Sequence, residues 1–236
     1  LVIVATPALL MGVILTRSMR KTFRLRPPAF RFLAVGAVLP FALMPLSVTL
    51  AERLAWFFPP LPESIVETLK LMKSDDVPLW LTLLAFAAAP ALCEEVAFRG
   101  FVLSGFLKSG RTWLAIGLSS LAFGVMHMIP QQVFNAALLG LVLGLLAVRS
   151  GSLWPGVLFH FVYNGSHVLL GRVAPQYADG GYPWPVLVVC VVAAVVLIRW
   201  LLVTGRAKPR EERERLGPSD VRVKGVPMRV GTGDRA

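Results

Sequence analysis

Apolar runs of membrane-spanning length, separated by short polar or basic connections, follow one another from the first residue to about residue 203. A helix needs about 20 apolar residues to cross a bilayer. On that measure the pattern predicts seven spanning helices, over 1–15, 30–51, 79–104, 113–129, 132–148, 154–171 and 185–203. The first is short and the second contains Pro40 and Pro45, so the ends of these two are soft. The connection 58–78 mixes apolar and charged residues in a way that suits a short amphipathic helix at the surface. Residues 204–236 combine Arg, Lys, Glu, Gly and Pro with few apolar residues and read as a disordered cytoplasmic tail. There is no internal repeat. The expected fold class is all-α, a polytopic transmembrane helix bundle.

Composition agrees. The 236 residues are 56% hydrophobic and 16% charged, too apolar for a soluble domain. A net charge of +11 would suit nucleic acid if it formed one face. Instead, of the 24 Lys and Arg, six fall in 17–31 and nine in 206–235, and the rest are scattered between apolar runs. That is the loop bias of the positive-inside rule, so the expected partner is the lipid bilayer and no nucleic acid. The rule places 16–26, 107–111, Arg149 and the tail in the cytoplasm, and 58–78, 130–132 and the end of the sixth helix outside. Arg53, Lys70, Lys73 and Arg172 are the exceptions. A multi-pass plasma-membrane location is expected; the tail reads as solvated with no specific role, contact with anionic lipid being the alternative. The chain opens LVIVATPALL, with basic residues after the apolar run and not before it as in a secretory signal. Residues 1–15 are therefore expected to be a spanning helix, trimmed at its start, of a longer protein. Cys93 and Cys190 both lie in apolar runs and predict no disulfide framework. Cys93, although beside Glu94, reads as a small buried thiol.

Polar residues inside the spans change the picture. An ionisable group at a helix centre costs about 2.5–3.5 kcal/mol on insertion scales, and something must offset that. In CEEVAFRG (93–100), Glu95 and Arg99 are four apart and can pair on one helical face. Glu94 lies about 100° round the helix, without a local partner. In FGVMH (123–127), Phe123 and His127 share a face, and in HFVYN (160–164) so do His160 and Asn164. Singly, an intramembrane His or Asn most often bonds a neighbouring helix, and a Glu–Arg pair can be purely structural. That is the expectation for His167, near the outer surface. Together, an acid, two imidazoles and a carboxamide on three helices can form one buried pocket holding a base and oxyanion donors. Straight helices would place Glu94, His127 and His160 at different depths; Pro90 provides a kink that could correct this. Similar polar residues would also suit a transporter or permease-associated module, by fusion or association.

In this order, EEVAFR (94–99), FGVMH (123–127) and HFVYN (160–164) resemble the CPBP family, the CAAX proteases and bacteriocin-processing enzymes also called the Abi family. The run GSLWPGVLFHFVYN (151–164) resembles the family's approach to its last motif, and the likeness covers about 79–170. The resemblance implies an intramembrane endopeptidase acting on membrane-associated or prenylated, CAAX-type, peptide or protein substrates. Its catalytic core would be 79–171, between N-terminal helices and an external loop (1–78) and a last helix (172–203), with the tail at 204–236. It makes Glu94 the base that activates water, with His127 holding or polarising that water. His160 and Asn164 would stabilise the oxyanion, and Glu95, Arg99 and Phe123 would support the pocket. No cofactor is required on this reading. Zn²⁺, held by Glu94, His127 and His160, is the alternative the family admits, although the HExxH spacing of common zinc proteases is absent. A family member that keeps the fold without the chemistry is the other competing reading.

Overall fold

The computed structural model describes residues 2–178 and 181–204. The elements are α1 (Val2–Leu15), α2 (Phe30–Leu54), α3 (Glu63–Lys73), α4 (Leu79–Ser109), α5 (Thr112–Val125), α6 (Pro130–Ser150), α7 (Trp154–Val173) and α8 (Trp184–Thr204). Single turns occur at Met19–Thr22 and Pro175–Ala178, and there is no strand among the described residues. Every expected span has its helix, and α3 is the expected amphipathic surface helix. The expected tail lies, from residue 205, outside the described residues.

Among the described residues, four helical segments are long and apolar enough to cross a bilayer: Phe30–Phe57, Leu79–Ser109, Pro130–Ser150 and Trp184–Thr204. The helices α1 and α5 are apolar but shorter. With 20 residues α7 has the length; His160, Asn164, Ser166, His167 and Arg172 lower its apolarity. The outward surface fits lipid. Val13, Phe41, Leu121 and Val189 are all more than half exposed, which water would penalise over so large an area. Exposed tryptophans mark both ends of the bundle, Trp56, Trp80 and Trp184 at one and Trp113 and Trp154 at the other, as aromatic belts do at membrane interfaces.

Two boundaries correct the sequence reading. The helix α5 stops at Val125, not 129, so His127 stands in a turn and not inside a span. The cause is Pro130, which forces Ile129 into extended backbone (φ −105°, ψ 119°). The chain reverses through Met128, whose φ is +56°. The helix α4 continues to Ser109, past 104. It takes in Pro90 directly after a stretch of wider, π-type turns, Leu84–Ala88, and has a second such stretch at Val96–Val102. Wide turns of this kind are frequent at functional sites.

Small residues set the helix spacing. In the α5–α6 hairpin, Gly124 faces the Val133 carbonyl, Gly140 faces Ser120 and Gly144 faces Ile116. Gly36 of α2 meets α7 so closely that a Cβ would lie 2.5 Å from the Pro155 carbonyl oxygen. Both are backbone, and neither can turn aside. Gly36→Ala is therefore expected to cost about 1–3 kcal/mol, read as a lowered Tm of the detergent-solubilised protein; an unchanged Tm would contradict this contact.

Between α2, α6, α7 and α8 lies a dry core that includes Leu39, Leu143, Leu146, Phe159 and Leu201. The segment after α1 closes one end of the bundle. Phe23 is buried against Gly12 and Gly100. Arg24 Nε donates to Ser104 Oγ (3.2 Å) and Nη1 to the Ala147 carbonyl (3.3 Å). The Arg24 carbonyl accepts from Leu153 N–H (3.0 Å), and the Arg26 carbonyl from Ser152 Oγ (2.7 Å).

Candidate active site

The buried charges of α4 are matched before any ligand is considered. Glu95 is fully buried, and its Oε1 accepts from Arg99 Nη1 at 2.7 Å and from His160 Nδ1 at 3.3 Å. Arg99 also donates from Nη2 to the Gly140 carbonyl (3.4 Å) and lays its guanidinium over the Phe123 ring, 4.1 Å from the centroid. These contacts, all made through Oε1 on the Glu95 side, offset part of the desolvation of both groups, while Glu95 Oε2 is left without a hydrogen-bond partner. Gly156 of α7 makes room for it: a Cβ there would lie 2.9 Å from Glu95 Oε2. Phe123 is a shared wall. One face meets Arg99, while His127 and His160 stand edge-on to the ring, at 5.1 and 5.9 Å between centroids.

Glu94, one residue earlier, faces the other way into space. Its Oε2 has no hydrogen-bond partner, and His160 Nε2 is 3.9 Å from it. His160 thus stands between the two carboxylates, Nδ1 towards Glu95 and Nε2 towards Glu94. Donating to both, or to Glu95 and an oxyanion, requires protons on both ring nitrogens.

His127 is oriented by the helix end that displaced it from the span. Its backbone N–H bonds the Gly124 carbonyl, which leaves the Phe123 carbonyl without its helical partner, and His127 Nδ1 takes that place at 2.9 Å. A carbonyl only accepts, so Nδ1 carries the proton and Nε2 of the neutral ring is an acceptor.

Asn164 is oriented by Pro90. A proline has no N–H, so the Phe86 carbonyl four residues earlier lacks its donor. Asn164 Nδ2 supplies one across the α4–α7 interface, at 3.1 Å, and retains a second amide proton. Asn164→Ala is expected to cost about 1–3 kcal/mol by baring that carbonyl. Pro90→Ala in the same chain restores an N–H and is expected to recover part of the lost Tm; equal losses with and without Pro90 would refute the bond.

A cavity of about 390 Å³ joins these groups, lined by Glu94, Phe123, His127, His160 and Asn164. Glu95 and Arg99 lie behind it. The difference in depth expected from straight helices is absorbed by the length of the cavity, which runs from the α5–α6 turn down to Phe159. His167, expected to bond between helices at the surface, lines the same cavity, edge-on to Tyr163 (4.9 Å). Sequence reasoning did not single out Tyr163, Gln132 or Asn135, which also line it. Tyr163 is held by hydrogen bonds to Ser47 and Asn135. For Gln132 and Asn135 a signal existed, carboxamides opening the apolar run of α6.

Among the described residues, no group of three or more His, Cys, Asp or Glu side chains is placed to hold a metal ion. Glu94, His127 and His160 as they stand are not such a group, although Nδ1 of each imidazole is held by a carbonyl or carboxylate and Nε2 is left towards the cavity, as in a metal-ligating histidine.

Residues 76–166 match the model of a known family, type II CAAX prenyl endopeptidase, Rce1-like. This segment is Rce1-like. The match bears out the resemblance to the CPBP family, which is one of intramembrane CAAX-type endopeptidases. The Rce1-like segment contains all three motifs and both wide stretches of α4, and it ends one residue before His167; α1, α2, α3 and α8 lie outside it. Comparison with curated proteins gave no match, and neither did comparison with solved structures.

Proposed function

We propose that this chain is an intramembrane endopeptidase in which Glu94 activates water for attack on a peptide carbonyl of a membrane-associated or CAAX-type substrate. One observation carries the reading: of the two neighbouring carboxylates with an unpartnered oxygen, Glu94 and Glu95, it is Glu94 that lines a cavity with His127, His160 and Asn164. A buried acceptor left open is costly, and here it faces the space a water and a peptide would occupy.

His127 Nε2 accepts from the water and Glu94 takes its proton as the hydroxide oxygen bonds to the carbonyl carbon. The charge that develops on the carbonyl oxygen is met by the second amide proton of Asn164 and by His160 Nε2–H, with His160 doubly protonated and its Nδ1–H resting on Glu95. Glu94 then returns the proton to the departing amine nitrogen, the C–N bond breaks, and a carboxylic acid and an amine leave. Arg99 holds the Glu95 carboxylate in place; Phe123 keeps both imidazoles from rotating. No step in this scheme runs through a metal.

The test is cleavage of a library of apolar peptides by the purified full chain, with metal analysis of the same preparation. Cleavage that persists at an undiminished rate after chelation is expected. Loss of cleavage on chelation, with recovery on adding Zn²⁺, would replace this mechanism by the zinc one. No cleavage of any peptide would favour a non-catalytic member.

A further inference from the structure

We propose that Asn135 is a substrate-binding residue: its carboxamide, held in one orientation by a hydrogen-bond chain through Tyr163 and Ser47, bonds the main chain of a peptide lying in the cavity. That the bound peptide is also the one cut rests on the peptidase reading; the binding itself does not.

The first observation is a buried polar chain that the mechanism above does not use. Tyr163 of α7 is buried, and its hydroxyl meets Ser47 of α2 and Asn135 of α6. The protons of this chain can be assigned. Ser47 Oγ donates to the Met44 carbonyl at 2.9 Å, and a hydroxyl has one proton. Ser47 Oγ therefore accepts from the Tyr163 hydroxyl. With that proton spent, the Tyr163 oxygen can only accept from Asn135, and the atom that donates is Nδ2. Donation runs from Asn135 to Tyr163, to Ser47, to the Met44 carbonyl, and this order fixes which way round the carboxamide sits. The phenol ring in the middle is itself held, stacked on Phe159 (6.2 Å between centroids) and edge-on to His167 (4.9 Å).

The second observation is what Asn135 has left over. It lines the cavity. After giving one proton to Tyr163 it keeps a second N–H and the Oδ1 acceptor, and among the described residues no other protein group bonds this carboxamide. One neutral donor beside one neutral acceptor is the complement of a peptide main chain, in which each residue offers one N–H and one C=O. An anionic ligand is a poorer match, because no Lys or Arg of the described residues lines the cavity.

The third observation is position. Tyr163 lies on the same cavity-lining face of α7 as His160 and Asn164, the two groups assigned to the oxyanion. From His160 to His167 this face runs for about 10 Å, which an extended peptide covers in about three residues. A peptide whose carbonyl meets His160 and Asn164 thus brings a neighbouring main-chain unit to the stretch of cavity that Asn135 faces. Tyr163 and Ser47 act through Asn135 and are positioning residues.

The test reads binding apart from cutting. The full chain carrying Glu94→Gln is purified in detergent, and fluorescence anisotropy selects the best-bound member of a library of fluorescein-labelled apolar nine-residue peptides. That peptide is then N-methylated at one position at a time, each change removing one main-chain donor. At one position the modification is expected to weaken binding about 10-fold, the scale of one hydrogen bond. Adding Asn135→Ala should weaken the unmodified peptide by a similar factor and erase the difference at that position. Ser47→Ala, which lies outside the cavity wall, and Tyr163→Phe should reduce the difference at that position and at no other, an effect that general loosening of the bundle would not produce. A difference that Asn135→Ala or Ser47→Ala leaves unchanged overturns the proposal. So does a scan with no such position, or a library from which no peptide binds. Where Asn135→Ala does not fold, Ser47→Ala decides. If the expected coupling is found but the chain with Glu94 intact cuts none of these peptides, the peptidase reading falls and the assignment of Asn135 stands.

Discussion

Glu94→Gln is expected to lower kcat by about 10²–10⁴-fold, the usual contribution of a general base, while the Tm of the solubilised protein stays at the wild-type value. The two halves of this expectation come from the same atom. Oε2 of Glu94 makes no hydrogen bond, so an isosteric amide removes no hydrogen bond at that position and only the longer, 3.9 Å contact with His160 Nε2 loses its charge. It does remove the capacity to accept a proton from water. Rates and melting curves of the purified variant and wild type decide the matter. A variant with full activity would exclude Glu94 as the base; a variant that fails to fold would show that the open oxygen has a structural partner.

Arg99→Leu is expected to be the most damaging single substitution in the chain. It strips Glu95 of its 2.7 Å partner at a site from which water is excluded, and breaking such a pair costs about 3–5 kcal/mol. That rivals the lower range of a whole domain's stability, about 5–15 kcal/mol. Monodisperse protein after detergent extraction should be lost or greatly reduced. Adding Glu95→Gln, which removes the stranded charge, should restore much of the yield and Tm without restoring activity, because His160 then loses the carboxylate that orients its Nδ1. If Arg99→Leu alone melts with the wild type, the pair does not hold the site together.

How far these groups could be read from the sequence depended on the range over which each is determined. The helices were legible because a spanning segment must satisfy its own backbone bonds and face lipid, which leaves a one-dimensional trace in apolar runs. The pairing of Glu95 with Arg99, and the ring of Phe123 beside His127, were legible because a spacing of four encodes both. The end of α5 was misread because it is set by turn chemistry around Met128 and Pro130, which the apolar run masks. The bond from His160 to Glu95 spans 65 residues and leaves no local trace. Asn164 was recognisable as polar and placed on the right face, but its partner, the Phe86 carbonyl, is a product of Pro90 on another helix. His167 was judged by its distance along α7, and the cavity proved long enough to reach it.

The wide turns of α4 also bear on how this helix can change in length. A π-type stretch carries one residue more than ordinary α-turns need over the same rise. A deletion inside Leu84–Ala88 can therefore be absorbed by tightening the ladder there, leaving the face that bears Glu94 in register with α7. A deletion in the ordinary turns of Ala89–Glu95 has no such slack and would swing everything on one side of it by about 100°. Natural gaps and insertions in this helix should gather in the first stretch and avoid the second.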